Sequence, residues 1–143
     1  MMLTGQNNVV DFDSGNLIFT IKNKSEYSLN DISNTNIGEE FEVGYNINLT
    51  GGVNSKYEGR KLSLVISALD TVPEDLSLTY LNTVYYLNSK DEFIIPLGDI
   101  VNPSTNLKFV MNSNMVPEND VTYDFEAALW ISATANHEAP KLE

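Results

Sequence analysis

Between Val121 and Ala135 every odd position is apolar: Val121, Tyr123, Phe125, Ala127, Leu129, Ile131, Ala133 and Ala135. The even positions begin polar, with Thr122, Asp124 and Glu126, and continue through Ala128, Trp130, Ser132 and Thr134. A repeat of two matches the alternation of side chains across a β-strand, so this segment predicts a long strand with one face in a core. The same alternation runs through Leu17, Phe19 and Ile21, after the turn-forming Asp13-Ser14-Gly15-Asn16, and through Phe41, Val43, Tyr45, Ile47 and Leu49, ahead of Gly51-Gly52. Leu62, Leu64, Ile66 and Ala68 predict a further strand, with Val65 and Leu69 adding apolar weight on the opposite phase.

Shorter alternating runs follow: Leu76, Leu78 and Tyr80; Val84 to Leu87; Phe93, Ile95 and Leu97; Leu107, Phe109 and Met111. Asn88-Ser89-Lys90-Asp91 suits a tight turn and predicts a hairpin between the second and third of these. Pro96 cannot donate to a ladder, which places its strand at an edge or a strand end. The polar stretch from Asn23 to Asn36 reads as a long loop or a short edge element. About seven to nine strands at short spacing, with no helical period, predict an all-β fold: an antiparallel β-sandwich, Ig-like or jelly-roll-like, with Greek-key connections. The domain is expected over residues 13–136. Residues 1–12 form an N-terminal tail or a candidate donor strand, and residues 137–143 a C-terminal tail whose Lys141-Leu142-Glu143 reads as an expression-tag remnant.

Composition narrows the chemistry. The 143 residues carry 20 acidic and 8 basic side chains, a net charge of −12. Such a surface repels phosphate backbones and anionic lipid, so neither a nucleic acid nor a membrane is an expected partner. No run approaches the roughly 20 apolar residues of a membrane span, and Met1-Met2-Leu3-Thr4 has no signal-peptide character. Cysteine is absent, which removes disulfides, thiolate metal sites and thiol nucleophiles. The single histidine, His137, lies in the tail, so a serine triad has no base. Neither Gly-x-Ser-x-Gly nor His-Glu-x-x-His occurs. No enzyme is expected.

Two features point to binding. Asp11, Asp13 and Asn16 place oxygen ligands around Gly15, a pattern that suits calcium or a plain Asx turn; Glu118 and Asp120 offer a second, weaker set. Calcium is the one cofactor that the sequence leaves open. Tyr80, Tyr85 and Tyr86 cluster, and Trp130 sits on the outward phase of the last strand, so these four are the expected contacts with a ligand or partner. Lys22 and Lys24 border the first strand, where a lysine–asparagine isopeptide bond would form if they were buried beside a carboxylate.

Two resemblances bear on function. Gly38-Glu-Glu-Phe-Glu-Val and Ile95-Pro-Leu-Gly-Asp-Ile-Val-Asn-Pro-Ser-Thr-Asn-Leu-Lys-Phe-Val resemble the Ig-like repeat domains of prokaryotic surface proteins. Ser14-Gly-Asn-Leu-Ile-Phe and Tyr123-Asp-Phe-Glu-Ala-Ala-Leu-Trp look like the first and last strands of the camelysin/TasA biofilm-fibre family. The resemblance implies an extracellular or cell-surface location and subunits that pass an N-terminal strand into a neighbour's sheet. It does not bring the proteolysis described for the camelysin branch, for which this chain offers no residues. The expected function is therefore a non-enzymatic structural or adhesive subunit that self-associates or binds another surface protein. A carbohydrate-binding module using Tyr85, Tyr86 and Trp130, and a phage decoration or tail protein of the virion, are the alternatives.

Overall fold

A computed structural model describes residues 15–25, 27–47, 60–100 and 104–132. The candidate donor strand, Asp11, Asp13 and His137 lie outside these residues. The described chain forms ten strands. In order they are β1 (Leu17–Asn23), β2 (Ser28–Leu29), β3 (Ile32–Asn36), β4 (Glu40–Asn46), β5 (Lys61–Ala68), β6 (Ser77–Tyr80), β7 (Thr83–Tyr86), β8 (Glu92–Asp99), β9 (Ser104–Asn112) and β10 (Val121–Ile131). They make two five-stranded sheets, ordered β3-β1-β10-β5-β8 and β2-β4-β9-β6-β7. The fold is an all-β sandwich.

The alternation read from the sequence sets the core. Tyr123, Phe125, Ala127 and Leu129 of β10 are buried together with Leu17, Phe19 and Ile21 of β1, and they meet Phe41, Val43, Tyr45, Phe109 and Met111 from the other sheet. Phe19 joins the two layers. Its ring lies 5.0 Å from Phe41 of β4, edge to face, and 6.3 Å from Phe125 of β10 at 90°. Edge contacts of this kind place the positive rim of one ring on the negative face of the next. β5 is buried on both phases, including Ser63 and Val65.

Of the two readings of the stretch from Asn23 to Asn36, the edge element holds, as two short strands, β2 and β3, each at a sheet edge. Two expectations are corrected. β1 runs parallel to β10, from Leu17 opposite Val121 to Asn23 opposite Ala127, so the first sheet is mixed rather than purely antiparallel. β7 and β8 are not a hairpin, because they belong to different sheets. The turn between them crosses the sandwich and is organised by Asn88, whose side-chain oxygen accepts from the N–H groups of Lys90 (2.9 Å) and Glu92 (3.0 Å). Its Nδ2 donates to the buried Glu92 carboxylate at 3.1 Å. The real hairpin is β6–β7, through Leu81-Asn82, both at positive φ (48° and 64°). Two positive φ values in a two-residue loop make a type I′ turn, which matches the twist of paired strands.

The loops around the ends of the strands are tied by side chains. Asp75 accepts a hydrogen bond from the Ser113 hydroxyl and one from the Asn114 N–H, both at 2.7 Å. These bonds, the Asn114 N–H foremost, hold its carboxyl below the ordinary aspartate value of 3.8. A carboxylate with a lowered folded value stabilises the fold at neutral pH, and that contribution is lost as pH falls through the folded value. Asp75→Asn should therefore lower the melting temperature near neutral pH, and its difference from the parent should shrink as pH drops from about 6 to about 3. A difference that stays constant over that range would remove the charged tether.

Candidate functional site

The four aromatic residues expected to share a contact surface point in different directions. Leu78 is fully buried, and Tyr80 follows it on the same side of β6, so Tyr80 turns inward; its ring lies 4.9 Å from Phe109. Tyr85 is opposite Leu78 in the β6–β7 ladder and faces the same way. Burial, and then the nearby Tyr85, raise the Tyr80 hydroxyl above 10.0; burial, and then Tyr80, do the same for Tyr45. Tyr86 is opposite Ser77 and points outward, 65% exposed. Trp130 belongs to the other sheet, half-buried on its outer phase opposite Ser63. A patch of Tyr80, Tyr85, Tyr86 and Trp130 is thus not formed. Tyr85 and Tyr86 are adjacent in a strand, and the period of two alone sends them to opposite faces.

The calcium expectation rests on Asp11 and Asp13, outside the described residues, and on Asn16. The backbone N–H of Asn16 donates to Asp120 at 2.8 Å, and its side-chain nitrogen to the same oxygen at 3.4 Å, so Asn16 helps fasten the start of β1 to the loop before β10. Gly15 is needed there, since a Cβ would fall 2.3 Å from the backbone carbonyl carbon of Asn119. Among the described residues no three of His, Cys, Asp and Glu gather as a metal would require.

A groove of about 630 Å³ runs over the outside of the first sheet, lined by Thr20, Lys22, Lys24, Asp31, Asp124 and Glu126 among others. Its carboxylates are engaged structurally. Asp124 accepts from the Thr20 hydroxyl at 2.7 Å, and Asp31 from the Asn23 N–H at 2.9 Å. Lys24 pairs with Glu126 at 3.3 Å, with 59% of the lysine side chain exposed. An ion pair this open to water contributes at most about 1 kcal/mol. It also lacks the burial that an isopeptide bond requires, and Lys22 is exposed as well.

The sheet edges differ more sharply. Six large hydrophobic residues stand exposed among the described residues: Leu69, Leu81, Val84, Tyr86, Met115 and Val116. Leu81, Val84 and Tyr86 all belong to the β6–β7 hairpin, and β7 is the outermost strand of its sheet. In a two-residue hairpin the residues flanking the turn, here Tyr80 and Thr83, are hydrogen-bonded to each other, and the pairing then alternates. Thr83 and Tyr85 therefore bond inward to β6. The N–H and C=O of Val84 and Tyr86 point away from the sheet, with no partner among the described residues.

The other edges are closed by local devices. On β2, the Asn30 side chain accepts from the Gly44 N–H and donates to the Glu42 carbonyl, extending a two-residue strand as a surrogate. Beyond it β4 carries the exposed carboxylates Glu40 and Glu42. On β3, the Thr35 hydroxyl donates to the Ser33 carbonyl at 2.8 Å and the Asn36 N–H to Glu39 at 3.1 Å. On β8, Pro96 has no N–H, Gly98 takes φ 85°, and the register with β5 shifts between Leu62 and Ser63. Proline, bulges, short strands and charge are the means by which sheet edges avoid pairing with other chains. β7 shares only the short length, four residues: Thr-Val-Tyr-Tyr has no proline, bulge or charge and is apolar on its outer face.

The chain matches no protein-family model, no curated protein and no solved structure. No helix among the described residues is long and apolar enough to cross a membrane.

Proposed function

We propose that this protein is a non-enzymatic structural or adhesive subunit of a microbial cell surface or extracellular fibre, and that it assembles through β-sheet edges. The observation that carries the reading is the β7 edge. It offers free backbone donors and acceptors beside Val84 and Tyr86, while the remaining edges are capped or distorted. An open edge is a template for an added strand: the main chain supplies affinity, and alternate side chains supply selection. The resemblance of the first and last strands to a fibre-forming family supports the same reading.

Light scattering over a concentration series, with negative-stain microscopy of the same samples, tests it. The expected result is a mass that rises above one chain as concentration increases. A strict monomer at every concentration would sink the proposal.

A glycan-binding module is the second reading, and Tyr86 favours it. Its exposed ring lies on the outer face of the second sheet in one row with the exposed Asn112, across the buried Ser77, an aromatic platform with a hydrogen-bonding amide nearby. A monomer that binds oligosaccharide, with binding lost in Tyr86→Ala, would select this reading over the first.

A further inference from the structure

We propose that the strand added to the β7 edge is β7 of a second copy, antiparallel, with Val84 of one copy opposite Tyr86 of the other. The inference rests on the edge-assembly reading and names its partner. Free backbone groups on β7 lie at Val84 and Tyr86. In an antiparallel pair, residues that exchange both N–H···O bonds must each turn those groups toward the seam. Setting Val84 opposite Tyr86 meets that requirement twice, once on each side of a two-fold axis at Tyr85, and makes four hydrogen bonds from two short strands. No register that shifts the pairing by one residue does so.

The side chains fit the same register. Val84 and Tyr86 both project from the outer face, so each half of the seam sets a β-branched residue against an aromatic one, a favourable cross-strand pair. Charge argues for a copy of this chain as well. Two molecules of net charge −12 repel, and they approach best where neither presents a carboxylate. β7 contains no charged residue, and the adjoining outer-face positions are Thr79, Val110, Ser77 and Asn112. A strand rich in lysine would find no acid on β7 to pair with. The result is a continuous ten-stranded sheet through two copies of a five-stranded one. A two-fold seam closes on itself, so the dimer is the unit from which any fibre grows through a further contact.

The absence of cysteine allows a register-specific test. Val84→Cys and Tyr86→Cys each introduce one thiol at an exposed position. In the proposed register Val84 faces Tyr86, whereas two Val84 positions are diagonal neighbours roughly 7–8 Å apart, beyond ordinary disulfide reach. Mixing the two variants under mild oxidation should give a mixed disulfide at least about tenfold more abundant than either variant gives alone. Circular dichroism of each variant confirms the fold. If the parent protein associates but the mixture shows no preference for the mixed disulfide, the β7 seam is wrong while edge assembly through another strand stands. If the parent protein is monomeric throughout, both fall.

Discussion

A Val84→Pro chain is expected to stay folded and to lose self-association. Proline removes the backbone N–H and fixes φ near −65°, so its effect depends on where that N–H points. At Val84 it points away from β6, and the monomer loses no ladder bond. Thr83 before it is already extended, as a residue preceding proline must be. Edge strands tolerate proline in this orientation. A two-fold seam loses two N–H donors and leaves two carbonyls facing proline rings. At about 0.5–1.5 kcal/mol net per bond, the dimer should weaken by about tenfold to hundredfold. Tyr85→Pro is the contrasting variant: its N–H bonds inward to β6, so it should disrupt the hairpin and lower the melting temperature. Sedimentation of both variants, with thermal melts, separates the two effects. A Val84→Pro chain that associates as strongly as the parent would place the contact elsewhere.

Phe19→Ala should be the most destabilising single substitution of the set, by about 3–5 kcal/mol. Phe19 is fully buried in β1, and its ring reaches across the sandwich to Phe41 as well as along its own sheet to Phe125. Truncation removes the transfer energy of the ring and leaves a cavity between two sheets whose backbones are held by ladders on either side. β1 has β3 on one side and β10 on the other, so it cannot settle inward to fill the space. Against a total stability of about 5–15 kcal/mol, this is a large fraction. Urea unfolding should show a lower midpoint with an unchanged slope. A loss under about 1 kcal/mol would mean that the ring does not join the two layers.

Both predictions depend on different parts of what the sequence encodes. The core was legible. Side chains alternate across a strand whatever its partners, so the odd positions of β10, the Leu17-Phe19-Ile21 run and the Phe41-Val43-Tyr45 run declare their buried faces locally. The same rule sends Tyr85 and Tyr86 to opposite faces, a consequence available from two adjacent residues. The close approach of Gly15 to the backbone of Asn119 was not legible, because it joins segments far apart in the chain. The turn at Asn88 was legible too, because asparagine caps neighbouring N–H groups in any context.

Strand partners and strand positions were decided only by the tertiary structure. Leu87 to Asp91 has the same local chemistry whether it closes a hairpin or crosses between sheets, and the difference lies in β8 finding β5 rather than β7. The parallel pairing of β1 with β10 joins segments about 100 residues apart, which no local pattern specifies. The candidate site belongs to this second class. Thr-Val-Tyr-Tyr reads as an ordinary half-buried strand, and it becomes an open edge only because the sheet order ends there. Periodicity fixes which way a side chain faces, since that depends on the backbone of its own strand. Which strand is left without a neighbour depends on the pairing of all the others.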